Sequence, residues 1–166
     1  MKQIILLNGP SSSGKSSLAK ALQGLIQERN QQAYKIISID DFMRLATDET
    51  IYEDDVYEIS GEMCEAALSA LRSASGVIID HVITSERIYR QLGDMLAAYP
   101  IRTVHVQCPL PVLLAREQAR GNRCRGSAEA SYEYLFPKDG YDLTIDTHAM
   151  STRECAQRIF EELCSD

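Results

Sequence analysis

Long apolar runs are missing from this sequence of 166 residues. The longest cover only a few residues, for example at positions 4–7 and 112–115, whereas a membrane-spanning helix needs about 20. The run at 4–7 is also too short for the core of a signal peptide, and no small-residue cleavage site follows it. We therefore expect a cytoplasmic protein without a membrane partner.

An excess of positive charge is also missing, since 24 acidic residues outnumber 17 basic ones and the net charge is −7. Double-stranded nucleic acid binds surfaces with a positive electrostatic potential. The charge balance thus argues against a nucleic-acid partner.

The five cysteines are an odd number without a C-x-x-C pair, and we interpret them as reduced.

No linker or internal repeat divides the chain. No stretch is rich in Pro, Gly or Ser, and no repeat occurs at the spacing of solenoid proteins. The length corresponds to about one domain, and 45% hydrophobic with 25% charged residues is typical of a globular protein. We predict a single domain over residues 1–166.

Short apolar runs alternate with segments of helical periodicity. Predicted strands cover residues 3–7, 35–39, 76–80, 102–106 and 142–145. Predicted helices cover residues 16–28, 86–98, 111–120 and a last segment that begins with a capping box at Ser151 and Glu154. Most of the strands are rich in Ile and Val, which is typical of strands buried on both faces. The alternation predicts a three-layer α/β domain with a parallel sheet.

The strongest functional signal is the pattern G-x-x-x-x-G-K-[ST], which runs from Gly9 to Ser16 directly after an apolar strand. Its glycines let the backbone curl until N–H groups point at phosphate oxygens, and the following helix adds its positive end. Lys15 is expected to contact the β- and γ-phosphates, and Ser16 to bind Mg²⁺. The predicted ATP-binding residues are Gly9, Pro10, Ser11, Ser12, Ser13, Gly14, Lys15, Ser16, Ser17 and Arg120.

Carboxylates follow two predicted strands at the edge where the carboxyl ends of parallel strands meet. Asp40 and Asp41 follow the second strand, and one of them is expected to accept a proton from an acceptor hydroxyl. We favour Asp40, which comes first after the apolar run, and interpret Asp41 as a helix N-cap. Asp80 is predicted to bind Mg²⁺ with Ser16, unless it only caps the strand. His81 is interpreted as structural.

Arginines form a third group. Arg116 and Arg120 lie four residues apart on one predicted helix face, which suggests an anionic ligand. The following loop is basic and bounded by glycines, so it could close over the nucleotide as a short lid. Arg120 and Arg123 are predicted to be catalytic. An exposed position in solvent is the alternative for all four arginines, and it carries more weight for Arg116 and Arg125 than for Arg120 and Arg123.

The acceptor is expected to be neutral or cationic. Residues 40–65 contain ten acidic residues, and Arg44 is their only basic residue, so an anionic acceptor would be repelled. No N-K-x-D segment for guanine recognition occurs, and the chain is too short for an ATPase motor. We predict an ATP-dependent kinase of a small-molecule alcohol. A kinase of a sugar or other metabolite, or an ATP-binding regulatory module without an acceptor, are the alternatives.

The sequence resembles the chloramphenicol phosphotransferase family over nearly its whole length. The resemblance is carried by residues 5–16, 39–42, 77–80, 116–123 and 141–147. Its most specific part is the form Asn-Gly-x-Ser-Ser-x-Gly-Lys-Ser of the loop that begins at Asn8. The resemblance implies an adenylate-kinase-like sheet of order 2-3-1-4-5, with Asp40 activating the acceptor hydroxyl. It also implies ATP and Mg²⁺ bound through Lys15 and Ser16, and a lid that carries Arg120 and Arg123.

Departures from the family concern the lid and the acceptor pocket. Asn122 stands where an acidic residue is expected, and Ser131 and Phe136 stand where glutamine or histidine is expected. Chloramphenicol itself therefore remains one candidate acceptor among several, and a role in antibiotic resistance is part of this hypothesis.

Overall fold

Five parallel strands form one sheet in the computed structural model, which describes residues 1–43, 52–121 and 126–165. The strands are β1 Gln3–Asn8, β2 Tyr34–Ser38, β3 Gly76–His81, β4 Ile101–Gln107 and β5 Leu143–Asp146. Their order across the sheet is β2-β3-β1-β4-β5, and every neighbouring pair is parallel. The predicted parallel sheet and its strand order are confirmed.

Helices connect the strands, and one more follows the last strand. They are α1 Lys15–Asn30, α2 Glu53–Leu71, α3 Glu86–Met95, α4 Leu110–Arg120, α5 Ser127–Tyr134 and α6 Thr152–Ile159, which a π-helical turn over Phe160–Cys164 continues. Ser151 caps α6, as predicted, because its Oγ accepts a hydrogen bond from the Glu154 N–H at 3.1 Å. In residues 1–43, 52–121 and 126–165, no helix combines the length and apolarity that a membrane crossing requires.

Alternate residues of the central strand pack against different helices. Ile5 and Leu7 of β1 belong to a core with α1 and α6, whereas Ile4 and Leu6 belong to a core with α2 and α3. Successive side chains of a strand point to opposite faces, so a central strand that is apolar throughout needs cover on both sides. The sheet therefore lies between two helical layers, which confirms the predicted three-layer α/β fold.

The segment after β2 differs from its prediction. The strand ends at Ser38, and residues Ile39–Asp41 form a 3₁₀ turn that Ser38 precedes as N-cap residue. The prediction that the strand extends to Ile39 and that Asp40 follows it directly was therefore wrong, as was the assignment of Asp41 as an N-cap. The apolar run includes Ile39 because that side chain is buried in the core, and burial alone does not distinguish a strand from a turn.

Two helices, α2 and α5, had no counterpart in the sequence predictions. In α2 the acidic residues that obscure the apolar periodicity lie on the exposed face and in the first turn, where the helix dipole favours negative charge. α5 has only eight residues and is too short to show a clear period. Both helices line the cavity described below, so part of its wall was not predicted.

Candidate active site

The loop between β1 and α1 is tightly curled. A Cβ atom on Gly9 would lie 2.3 Å from the carbonyl oxygen of Val106, which excludes any side chain there. Gly14 has a left-handed backbone with φ of 91°, which glycine adopts without steric cost. The Lys15 Nζ donates to the Pro10 carbonyl oxygen at 2.8 Å and to Ser13 Oγ at 3.3 Å. The loop thus wraps around the buried ammonium group.

Residues distant in sequence hold this loop from outside. Thr147 Oγ1 donates to the Ser13 carbonyl oxygen at 2.6 Å, and Arg116 donates to the Thr147 carbonyl oxygen at 3.2 Å. On another side, the Ser11 N–H donates to Ser131 Oγ at 2.9 Å. Because a trans peptide is planar, the Gly14 N–H points away from Thr147. Through Thr147, Arg116 supports the loop. Its side chain thus contacts protein and is not simply exposed to solvent.

The predicted magnesium ligands lie side by side. Ser16 Oγ donates to Asp80 Oδ2 at 2.8 Å, and Ser38 Oγ donates to the same oxygen at 3.3 Å. Asp80 lies one residue before the end of β3, with only 3% of its surface exposed. Mg²⁺ prefers oxygen ligands and is commonly bound by one or two side chains together with substrate phosphates. The two oxygens fit such a cation, and their role as its ligands stays a prediction.

One cavity of about 1180 Å³ connects the loop with the 3₁₀ turn. Its phosphate end is lined by Ser11, Ser12, Gly14, Lys15, Ser16 and Ser17. A second group of lining residues, here called the acceptor end, comes from the 3₁₀ turn, α2, α3 and the segment after β3: Asp40, Glu53, Val56, Val82 and Ile88. The structure therefore brings the predicted base to one cavity with most of the predicted ATP-binding residues; Gly9, Pro10 and Ser13 are not part of the lining. Asp41 is exposed and is not part of this lining.

Charge is unevenly distributed along this cavity. Among the described lining residues, Asp40 and Glu53 bring carboxylates to the acceptor end. Arg87 lies in α3 beside the lining residue Ile88. Its guanidinium group pairs with Asp54 at 2.5 Å and stacks over the ring of Tyr57 at 3.9 Å. Arg87 is not part of the cavity lining. Over the described residues, the acceptor end thus has an acidic and partly apolar wall.

The segment predicted to form a lid is described only at its two ends. Arg120 lies in the cavity wall and is the last residue of α4, and Gly121 follows as the C-cap with a left-handed φ of 67°. Beyond the gap, α5 begins at Ser127. Asn122, Arg123 and Arg125 lie outside the described residues. The catalytic assignment of Arg120 and Arg123 therefore stays a prediction.

His81 is a structural residue, as interpreted from the sequence. It is fully buried, its Nδ1 accepts from the Val82 N–H at 2.8 Å, and its Nε2 lies 3.0 Å from Ser60 Oγ. With Nδ1 as acceptor, the proton of the neutral ring lies on Nε2 and is donated to Ser60. Burial, and next the charge of Lys15, lower the pKa of His81 to about 3. The ring therefore stays neutral beside Asp80.

Asn8, the residue before Gly9, has a structural role that was not predicted. Its Nδ2 donates to the Phe136 carbonyl oxygen at 3.0 Å and to the Tyr141 hydroxyl at 2.9 Å. Its Oδ1 accepts from the Ile83 N–H at 2.9 Å. One buried amide thus joins β1 to the segments that follow β3 and α5. The sequence signal was a polar residue at the end of an apolar strand, immediately before Gly9.

Several solved structures share the fold of this chain. An APS kinase from Mycobacterium tuberculosis, in complex with AMPPNP and APS, is 19% identical with a TM-score of 0.78, covering 99% of this chain and 98% of that one. A gluconokinase from Sinorhizobium meliloti is 19% identical, with a TM-score of 0.72 and coverage of 98% and 91%. A tunicamycin resistance protein from Deinococcus radiodurans is 21% identical, with a TM-score of 0.69 and coverage of 100% and 98%. These likenesses establish a P-loop kinase fold.

The family comparison agrees with the resemblance seen in the sequence. No curated protein matches the chain. The family described as chloramphenicol phosphotransferase-like protein matches residues 2–164, nearly the whole chain. The loop that begins at Asn8, the Asp40 turn and the Asp80 strand all lie within the matched range. The chain therefore belongs to the chloramphenicol phosphotransferase-like family.

Proposed function

We propose that this protein is an ATP- and Mg²⁺-dependent kinase that phosphorylates a hydroxyl group of a small molecule. One observation carries the proposal: Asp40 and the curled loop around Lys15 line the same cavity of about 1180 Å³. Phosphoryl transfer needs a bound polyphosphate and a group that orients the attacking hydroxyl. The cavity brings residues suited to both tasks together. A cytoplasmic location stays a prediction from the sequence.

The phosphate end is suited to hold ATP. The loop amides, the positive end of α1 and the Lys15 ammonium bind and orient the phosphates. Mg²⁺, held by Ser16 and Asp80, would neutralise charge on the phosphate oxygens. Arg120 at the cavity wall, with Arg123, is proposed to stabilise the charge that develops during transfer.

Asp40 is proposed as the general base. It accepts the proton of the acceptor hydroxyl as that oxygen forms a bond to the γ-phosphorus. The bond from the γ-phosphorus to the bridging oxygen of ADP breaks in the same transfer. The products are ADP and a phosphorylated alcohol, with the proton on Asp40. Water then returns the carboxyl group to its ionised form.

The acceptor is proposed to be a neutral or cationic alcohol with an apolar part. Asp40 and Glu53 would repel a carboxylate or phosphate at the acceptor end. Val56, Val82 and Ile88 give the same end an apolar wall, which favours an amphipathic molecule. Chloramphenicol, a neutral alcohol named in the family description, meets these requirements.

An acceptor panel tests the proposal. ADP release from Mg·ATP is measured with chloramphenicol, with a cationic amino alcohol, and with gluconate and shikimate as anionic alcohols. We expect stimulation by neutral or cationic alcohols above the rate without acceptor. Stimulation by the anionic alcohols alone would contradict the acceptor class. No stimulation by any alcohol would favour a regulatory ATP-binding module.

Asp40 and its neighbour provide a matched pair of variants. Asp40→Asn removes the base but keeps the side-chain volume, so transfer is expected to fall about 10²- to 10⁴-fold with little change in ATP affinity. Asp41→Asn, changed in the same way at an exposed position outside the cavity lining, is the control and is expected to retain transfer. The reverse result would assign the base to Asp41. Lys15→Ala is expected to lose both ATP affinity and transfer.

A further inference from the structure

One face of α5 borders the cavity. Its lining residues are Ser127, Ala130, Ser131 and Tyr134. Residues three or four positions apart share a helix face, so these side chains form one stripe along the helix. The stripe begins with small side chains, and Ser131 holds the phosphate loop through the Ser11 N–H. It ends in the large aromatic ring of Tyr134.

Tyr134 is 61% exposed although it belongs to the cavity lining. In residues 1–43, 52–121 and 126–165, its hydroxyl group makes no hydrogen bond and its ring stacks on no other ring. Single exposed apolar residues are common on protein surfaces and need no explanation. Tyr132 of the same helix is such a residue, because it is 46% exposed and lies outside the cavity lining. Tyr134 differs because its exposed ring borders a concave site that a ligand would fill.

The end of α5 that carries Tyr134 is attached to the acceptor end of the cavity. Two residues after Tyr134, the Phe136 N–H donates to the Ile83 carbonyl oxygen at 2.9 Å. The Phe136 ring also packs edge-on against Tyr89 of α3, with 5.8 Å between the ring centroids. Both partners belong to elements that form the acceptor end, the segment after β3 and α3. The backbone next to Tyr134 is therefore held at this end before any ligand binds.

The sheet order separates this end from the expected position of the nucleoside. β2 and β3, which precede Asp40 and Val82, lie on one side of β1, and β4 and β5 lie on the other. The lining residues Thr147 and Thr152 follow β5 and belong to that other side. Tyr134 is attached to the β3 side, so its ring is available to the molecule that Asp40 is proposed to activate.

We propose that Tyr134 is a specificity-determining residue whose ring covers the apolar part of the acceptor and favours a flat, aromatic group there. This inference rests on the proposed kinase function and deepens it. Val56, Val82 and Ile88 supply apolar surface at the same end, so a ring bound against them and Tyr134 would be largely removed from water. Two aromatic rings are further stabilised by offset stacking or an edge-to-face contact, whereas a saturated ring gains only the burial.

Two tyrosines of the same helix provide a matched test. Steady-state ADP release is measured at saturating Mg·ATP with chloramphenicol, 4-nitrobenzyl alcohol and 2-phenylethanol as acceptors. Tyr134→Ala is expected to raise the acceptor KM about tenfold with little change in kcat, because it removes binding that the ground state and transition state share. The KM for ATP is expected to stay within about twofold of wild type. Tyr132→Ala removes an equal ring outside the cavity lining and is expected to keep both KM values.

Conservative variants separate the ring from mere bulk. Tyr134→Phe keeps the ring and is expected to retain the wild-type acceptor KM within about twofold, whereas Tyr134→Leu keeps apolar bulk and is expected to raise it about threefold. Wild type is expected to prefer 2-phenylethanol over 2-cyclohexylethanol, and Tyr134→Leu to lose this preference. The Tm of every variant is expected to stay within about 2 °C of wild type, because the side chain is exposed.

Three results would overturn the role of Tyr134. An unchanged acceptor KM in Tyr134→Ala, or an equal rise in Tyr132→Ala, would exclude a specific contact with the acceptor. A rise in the KM for ATP alone would assign the ring to the nucleotide instead. If no alcohol stimulates ADP release by wild type, the proposed function fails as well. If alcohols stimulate it but wild type does not distinguish phenyl from cyclohexyl acceptors, only the role of Tyr134 fails.

Discussion

At the residue scale, His81 shows how the fold sets the protonation state of a side chain next to the proposed active site. Its Nε2–H is committed to Ser60 and its Nδ1 to the Val82 amide, so a second ring proton would break one of these contacts. Burial is the main reason why its pKa falls to about 3. In the unfolded chain the same ring has a pKa near 6.5. The folded form therefore binds this proton less readily than the unfolded form.

This difference predicts a pH dependence of stability. Between pH 6.5 and 3 the unfolded state takes up a proton at His81 and the folded state does not, so stability is lost as the pH falls. From pH 6.5 to 5 the loss is roughly 1.5 kcal/mol. His81→Gln removes the titrating ring, and its free energy of urea-induced unfolding should fall correspondingly less over this range. The comparison is made without nucleotide or divalent cation, and parallel curves for both proteins would contradict the prediction.

At the scale of elements, Asn8 joins the end of β1 to the segments that follow β3 and α5. The Ile83 amide and the Phe136 carbonyl group are backbone groups, and each has a hydrogen bond with the Asn8 side chain. Asn8 is itself fully buried. Loss of this side chain would leave buried backbone groups without partners, each costing about 1–3 kcal/mol.

Asn8→Leu is therefore expected to lower the free energy of unfolding by roughly 3 kcal/mol, although leucine has a similar size. Hydrogen exchange at the Ile83 amide should accelerate at the same time, because that N–H loses its acceptor. Asn8→Asp keeps an acceptor for Ile83 while losing the donor to Phe136, and should protect the Ile83 amide better than Asn8→Leu. Equal hydrogen-exchange protection of the Ile83 N–H in wild type and Asn8→Leu would show that the Asn8 side chain does not hold this segment in place.

At the scale of the whole molecule, the phosphate end of the cavity draws on elements from all parts of the sheet. Ser16 lies in the first turn of α1, Asp80 lies in β3, and Thr147 follows β5. A ligand that binds this folded assembly and not the unfolded chain stabilises the protein as a whole. The effect depends on Mg²⁺ if Ser16 and Asp80 hold the cation.

Mg·ADP at a hundred times its dissociation constant should therefore add about 2.7 kcal/mol of stability and raise Tm by about 5–10 °C. Removal of Mg²⁺ with EDTA at the same ADP concentration is expected to lose most of this increase. Asp80→Asn should reduce the difference between the two conditions. The metal assignment would fail if wild type gained the same Tm increase from ADP with and without Mg²⁺.

The sequence predicted local features well and distant contacts poorly. The phosphate loop and the strand before Asp80 were recognised because their signals are continuous along the chain. The proximity of Ser16 to Asp80 also followed, since parallel strands bring their carboxyl ends to one edge. By contrast, Asn8 meets Phe136 across 128 residues, and no periodicity reports such a contact. The exposed acidic face of α2 likewise concealed a helix whose buried face is regular.

The hydrogen bond from Thr147 to Ser13 has a consequence for the transfer of the phosphate-binding motif to another protein. These two residues are separated by 134 positions, and the clash that fixes Gly9 comes from Val106. A peptide with only the first forty residues would contain the whole motif but neither Val106 nor Thr147, which contact the loop from outside. The conformation of the loop thus depends on residues from the second half of the chain. A protein that received the motif would need residues in equivalent positions to hold the loop.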